Sequence, residues 1–251
     1  MPSETIRPPS WPAPAPEGRL VTAERTQARA VRDYRSFDRR FAALLMPVGP
    51  VAVSVIRFLI PGAPAGKEVA ENPVAQHVIV WCGVIALFTL LPGAWAALQL
   101  VGRYSPTLSR VTGAFLVPGY LALGVLLGMD VALLAATEIG LPPAEVTALG
   151  EQLIRLPSQD LILSIFIVGH IVGVVLLGVV SLRARVMPRF AAIALVVSQP
   201  LHLVAVITDS RWLDLLAWNL TALGMAFLAL RLLRTPNDDW ELPPRGRMMS
   251  A

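Results

Sequence analysis

Apolar residues fall along the chain in six long stretches, at about 41–60, 77–101, 111–135, 161–182, 190–207 and 213–233, with polar, basic or proline-containing segments between them. Each stretch is about long enough to cross a ~30 Å hydrocarbon layer at ~1.5 Å per residue. The pattern predicts an all-α, polytopic integral membrane protein with six transmembrane helices. Its clearest unit is the pair LILSIFIVGHIVGVVLLGVVSL and FAAIALVVSQPLHLVAVI, joined by the short basic turn RARVMPR. These two stretches form a hairpin, and Arg183, Arg185 and Arg189 mark its cytoplasmic end, because short cytoplasmic loops are rich in Lys and Arg.

The distribution of charge orients the remaining spans. With both termini inside, the cytoplasmic segments hold seventeen Lys and Arg: eight before the first span, Arg103 and Arg110, three in the basic turn, and Arg231, Arg234, Arg245 and Arg247. The opposite loops hold Lys67, Arg155 and Arg211, and Arg57 lies within the first span. That asymmetry predicts an N-in, C-in protein of the plasma membrane. Trp81 and Trp212 then fall at the outer ends of their spans, where amphipathic rings prefer the interface.

Composition narrows the class. Of 251 residues, 55% are hydrophobic and 15% charged, and the mean hydropathy is +0.63, values that exclude an ordinary soluble domain. The formal charge of +4 is spread by membrane side, so anionic lipid headgroups rather than nucleic acid are the expected partner. Cys82 is the single cysteine and sits in an apolar stretch outside any ligand pattern, so it is read as a packing residue.

Between and around the spans, three segments carry expectations of their own. Residues 1–18 hold six prolines and predict an extended, disordered tail, and the arginine-rich 20–40 segment predicts a juxtamembrane helix attracted to anionic headgroups by ~1 kcal/mol per basic residue. The sequence PGAPAGK imitates a signal-peptidase site, but the forty-residue preface is unlike a signal peptide. In the 138–160 loop, Pro142 and Pro143 can start a short helix that gathers Val146, Leu149, Leu153 and Leu156 on one face. The expected element is an interfacial connector. Residues 234–251 form a polar cytoplasmic tail.

Prolines inside the spans (Pro47, Pro50, Pro92, Pro118 and Pro200) predict bends, with a break or kink in the first helix. Gly124 with Gly128, and Gly169 with Gly173, form GxxxG patterns that permit close helix contact. Intramembrane ionisable residues are functional-site candidates by default. Arg57, Asp130, His202 and Asn219 fall in the outer half of the bilayer by span depth, and His170 falls near its middle. Ser198 and Gln199 share a helical face with His202. Together these seven residues predict an outward-facing polar pocket formed by spans three to six, with Arg57 closing it from the first. The structural alternative pairs Asp130 with Arg57 and joins His202 to Asn219 or to a carbonyl freed by a proline.

The pocket suits binding or transport of a small molecule or ion. A noncatalytic accessory subunit is the alternative, and a bis-histidine haem protein on His170 and His202, or an intramembrane acid–base enzyme on Asp130 and His202, are further readings. The chain carries no GxSxG, C-x-x-C-H, H-E-x-x-H or nucleotide-binding loop, so the sequence calls for no cofactor, metal or catalytic residue. The run GHIVGVVLLG followed by RARVMPRFAAIAL resembles the second half of some uncharacterised six-span bacterial membrane proteins, which carry a similar basic turn between spans four and five. The resemblance implies architecture and assigns no activity to named residues.

Overall fold

A computed structural model describes residues 33–59 and 71–241. The proline-rich tail, most of the basic 20–40 segment, the PGAPAGK loop and the end of the C-terminal tail lie outside the described residues. In chain order the helices are α1 (Arg35–Leu59), α2 (Pro73–Gly102), α3 (Pro106–Glu138), α4 (Pro143–Arg155), α5 (Pro157–Ala184), α6 (Arg189–Ile207), α7 (Arg211–Leu233) and the single turn α8 (Asn237–Trp240). Among the described residues there is no β-strand, and α1, α2, α3, α5, α6 and α7 are long and apolar enough to cross a membrane.

Local chemistry sets where these helices start and stop. Proline occupies the first turn of α2, α3, α4 and α5, where its missing N–H would have no intrahelical partner. Asn72 caps α2 by accepting from the Ala75 N–H at 3.1 Å, and Ser210 caps α7 by accepting from the Leu213 N–H at 3.4 Å. Arg185 ends α5 in the left-handed region at φ 51°, and the Val186 N–H reaches back to the Ser181 carbonyl at 3.3 Å. The basic turn is therefore tight, and α6 starts just beyond Pro188.

The six long helices form a closed ring in sequence order: each packs against the next, and α7 returns against α1. Across the ring, α2 also approaches α5 and α7. We call the end that holds Asp33 and Trp240 the lower end, and the end that holds the α6–α7 turn the upper end. The core runs through the ring and includes Met46, Leu90, Ala97, Leu116, Leu177, Leu195, Trp218 and Leu228.

Small residues allow the ring to close. A Cβ on Gly93 would lie 2.9 Å from the Met46 Cα, and one on Gly169 would lie 2.6 Å from the Gly119 Cα. Gly178 meets Val196 in the same way between α5 and α6, and Gly224 meets Leu195 between α6 and α7. Without a hydrophobic force between helices in lipid, such backbone approach is a main source of association. The Gly169/Gly173 pattern is thus used. The Gly124/Gly128 pattern is not: Gly124 makes ordinary contact with Leu87 at 3.5 Å, and a Cβ on Gly128 would meet nothing within 4 Å.

Two further expectations are met in part. The first helix continues unbroken through Pro47 and Pro50, because each proline removes a single bond while the adjacent turns stay paired and Gly49 brings Leu90 of α2 against the segment. In α4, Val146 and Gly150 are buried and Leu153 packs beside them, but Leu149 and Leu156 remain exposed. Leu156 lies past the helix end in extended conformation, so it leaves the apolar face predicted for it.

At the lower end Arg35 ties the start of α1 to the segment that follows α7. Its guanidinium donates to Asp33 at 2.9 Å, to Asp238 at 2.5 Å and to the Glu241 carbonyl at 3.1 Å. Trp240 is buried behind it, 7% exposed, as part of the main core.

Candidate functional site

The upper third of the ring contains a connected group of charged and aromatic side chains. Asp214 lies in the first turn of α7, and Trp218 follows four residues later on the same face. Antiparallel to it, α6 presents Gln199 and His202, and the two helices are joined by polar contacts at both levels. The Nδ1 of His202 lies 2.6 Å from one Asp214 oxygen, and the Gln199 amide donates to the Thr221 hydroxyl at 3.0 Å. From α1, the Arg57 Nε donates to the other Asp214 oxygen at 2.7 Å. The Asp214 side chain is 3% exposed, and that of Arg57 is 25% exposed.

Asp214 is thus the centre of the group. It neutralises the only cation that the ring brings this deep at the upper end among the described residues, and it orients His202. A carboxylate accepts, so His202 donates from Nδ1, and a neutral ring would then carry its lone pair on Nε2. His170 reaches the same state by another route. Its Nδ1 lies 2.5 Å from the Phe166 carbonyl one turn earlier on α5, and a carbonyl can only accept. The lone pair of His170 is therefore also on Nε2, an atom that is buried and has no hydrogen-bond partner.

The rings pack directly. The centroids of His170 and His202 are 5.6 Å apart, Trp218 is 5.9 Å from His170 and 5.5 Å from His202, and Phe166 stacks on His170 at 4.4 Å. The close α3–α5 contact at Gly119 and Gly169 holds the backbone beside His170. A porphyrin placed between the two imidazoles would have to displace the Trp218 indole, which packs against both. Among the described residues no group of three or more His, Cys, Asp or Glu side chains is placed to hold a metal ion.

Beside the rings lies a cavity of about 270 Å³. Arg57, His170, His202 and Trp218 border it on the inside, and Phe166, Leu163, Val53 and Ile171 add apolar wall. Ile167 of α5 and Leu203 and Val206 of α6 complete the lining and are each 40–45% exposed, so the cavity opens on the ring's outer surface between α5 and α6. The Trp218 indole nitrogen, like His170 Nε2, is buried with no partner. Neither nitrogen opens onto the cavity, whose lining is almost wholly apolar.

The seven residues singled out from the sequence divide. Arg57, His170 and His202 line the cavity. Ser198 and Gln199 are buried one turn below; the Ser198 hydroxyl donates to the Leu195 carbonyl at 2.8 Å and Gln199 joins Thr221. Asn219 faces away and donates to its own helix at the Leu215 carbonyl, 2.7 Å distant. Asp130, half-buried on α3, has no hydrogen bond or ion pair to any described residue. Arg57 pairs with Asp214 instead of Asp130, and His202 pairs with Asp214 instead of Asn219 or a freed carbonyl. The pocket is consequently formed by the first, fourth, fifth and sixth spans, and the third contributes nothing to its lining.

Sequence reasoning missed Asp214, Trp218 and Phe166. The available signal for the first two was an acid inside an apolar stretch with a tryptophan four residues later. No family model matches the chain, and neither the curated proteins nor the solved structures include a match to it, so the site is described by its own geometry.

Proposed function

We propose that this chain is a multi-pass membrane protein that binds a small molecule in the cavity between α5 and α6, a step that also serves transport if the bound molecule is released to the other side. The observation that carries this reading is the cavity itself, an apolar space at whose inner side lie Arg57 and His202, both paired on Asp214. The six apolar helices support membrane insertion. The excess of Lys and Arg on lower-end segments supports a plasma-membrane orientation with both termini cytoplasmic, which places the cavity in the outer half of the bilayer.

An accessory bundle is the second reading: Arg57 and His202 are both paired on Asp214, and buried polar atoms without partners occur at the lower end as well, at Arg39, Asn237 and Trp240.

The test is a stabilisation screen on the purified protein with neutral lipophiles, organic cations and organic anions small enough for the cavity. At least one class is expected to raise the unfolding temperature of the wild type and to lose that effect in Leu203→Trp, where an exposed rim position is filled with an indole. A panel in which no compound distinguishes the two proteins contradicts the reading.

A further inference from the structure

We infer that the outer groove between α2 and α3 at the lower end holds an anionic phospholipid, with its phosphate on Arg110 and Gln99 and an acyl chain in the groove above them. The site is separate from the cavity between α5 and α6, and of the reading above it uses membrane insertion alone.

The groove begins where α2 and α3 are tied together. The Ser109 hydroxyl donates to the Leu98 carbonyl at 2.8 Å, so the residues that follow them, Arg110 and Gln99, lie at one level near the lower end. Both border a cavity of about 520 Å³. Both are exposed, and neither side chain has a hydrogen bond or ion pair to any described residue. A guanidinium matches two phosphate oxygens at once, and the neighbouring amide can donate to a third.

The charge around this groove has one sign. The segment RYSPTLSR, from Arg103 to Arg110, holds two arginines and no acid, and no acidic residue lines the cavity. Trp95 borders this space and also a second one of about 610 Å³ toward α1, where Asp38 and Glu241 stand in the lining. The two sides of one indole therefore differ in charge. An anionic headgroup complements the α3 side, whereas a zwitterionic one would bring its own cation beside two arginines.

The shape of the groove selects a lipid over a soluble phosphate. From Arg110 it reaches up α3 to Pro118, ~12 Å higher at ~1.5 Å per residue. Gly113 and Ala114 lie between them and carry too little side chain to fill it. Ala114 and Pro118 are exposed, so the groove opens on the outer surface of the ring, where a membrane-spanning bundle meets lipid tails. Trp95, 57% exposed, flanks it, as suits an indole near the membrane interface. A free phosphate would use only the polar end of this space.

Native mass spectrometry of the full-length protein, titrated in detergent with dioleoyl phosphatidylglycerol, dioleoyl phosphatidylcholine or glycerol 3-phosphate, tests the assignment. The wild type is expected to hold phosphatidylglycerol about fivefold more tightly than phosphatidylcholine, the factor for one basic residue at an anionic headgroup. Arg110→Gln is expected to remove that preference, and Ala114→Trp, which fills the exposed groove, to weaken both lipids. Arg103→Gln, an exposed cation outside the lining, and Leu203→Trp at the other cavity are expected to bind as the wild type does. Equal loss in Arg103→Gln and Arg110→Gln assigns the effect to diffuse surface charge and overturns the inference. So does an unchanged preference in Arg110→Gln, unchanged lipid binding in Ala114→Trp, or a wild type without the preference. Glycerol 3-phosphate bound as tightly as the lipid overturns the lipid assignment in favour of a soluble phosphate. Loss of phosphatidylglycerol in Leu203→Trp instead of Ala114→Trp moves the lipid to the α5–α6 cavity, so this inference fails while the binding reading stands.

Discussion

Replacing Asp214 with alanine is expected to destabilise the protein by about 3 kcal/mol, at the low end of the ~3–5 kcal/mol seen when one partner of a buried ion pair is removed. The size follows from what remains. Arg57 loses its carboxylate, and His202 loses the acceptor for its Nδ1–H in the same step. The estimate stays low in that range because the Arg57 side chain keeps 25% of its surface exposed and can turn toward solvent or headgroups.

The companion variant separates attraction from the penalty of an orphaned charge. Arg57→Met combined with Asp214→Leu removes both charges and leaves apolar side chains in an apolar setting. Most of the lost stability is expected to return, to within about 1–2 kcal/mol of the wild type, since a buried pair replaced by hydrophobic residues is often neutral. His202 keeps an unsatisfied donor in that protein, which accounts for the remainder. Detergent-titrated unfolding or thermal midpoints of the two variants check this. A double variant no more stable than Asp214→Ala alone contradicts the assigned pairing.

Gly169→Val is the second change with a large expected effect. A Cβ at this position would fall 2.6 Å from the Gly119 Cα and 2.7 Å from the Phe115 carbonyl oxygen. Those are backbone atoms of α3 and cannot rotate aside, so α3 and α5 must separate. Overpacking typically costs ~1–3 kcal/mol, and the upper part of that range is expected here because the whole interface moves. The displacement also carries His170, the next residue on α5, away from Trp218. Loss of ligand stabilisation should therefore accompany the lower unfolding temperature. Gly128→Ala supplies the contrast. Nothing lies within 4 Å of a Cβ there, and removing a helix-interior glycine should stabilise the protein by ~0.5–1 kcal/mol. Equal destabilisation by the two substitutions would contradict the packing described.

These two sites also show what the sequence can and cannot reveal. Six long helices are legible because hydropathy over about twenty residues is a property of each segment alone. Ring closure of α7 on α1 is a property of pairs, and the sequence carries no local sign of it. The GxxxG patterns illustrate the difference. Gly169 and Gly173 meet Gly119 and Leu116, but Gly124 and Gly128 have the same spacing and no close partner. A small-residue motif states that a face permits approach and does not state that another helix arrives.

The site was legible in part for the same reason. His170, His202 and Arg57 are conspicuous as ionisable residues inside apolar stretches, and all three line the cavity. Asp214 was overlooked because it lies three residues into its helix, where an acid reads as an ordinary first-turn residue favoured by the helix dipole. Only the antiparallel packing of α6 and α7, with α1 against α7, shows that this turn is enclosed. Asn219 is the converse case. It follows Trp218 directly on α7, but it lies about 100° round the helix from it and faces outward, bonded to its own backbone.

The most direct measurement is a density map of the protein in lipid nanodiscs, sharp enough to place side chains, recorded with and without a compound that stabilises the wild type and not Leu203→Trp. The expected map without the compound shows the cavity open between Ile167 and Leu203, with Arg57 and His202 both on Asp214. With the compound it shows added density between α5 and α6, against Phe166 and Leu203. A map in which the α5–α6 opening is filled by its own side chains, Arg57 has left Asp214 and the compound adds no density there would contradict the binding site.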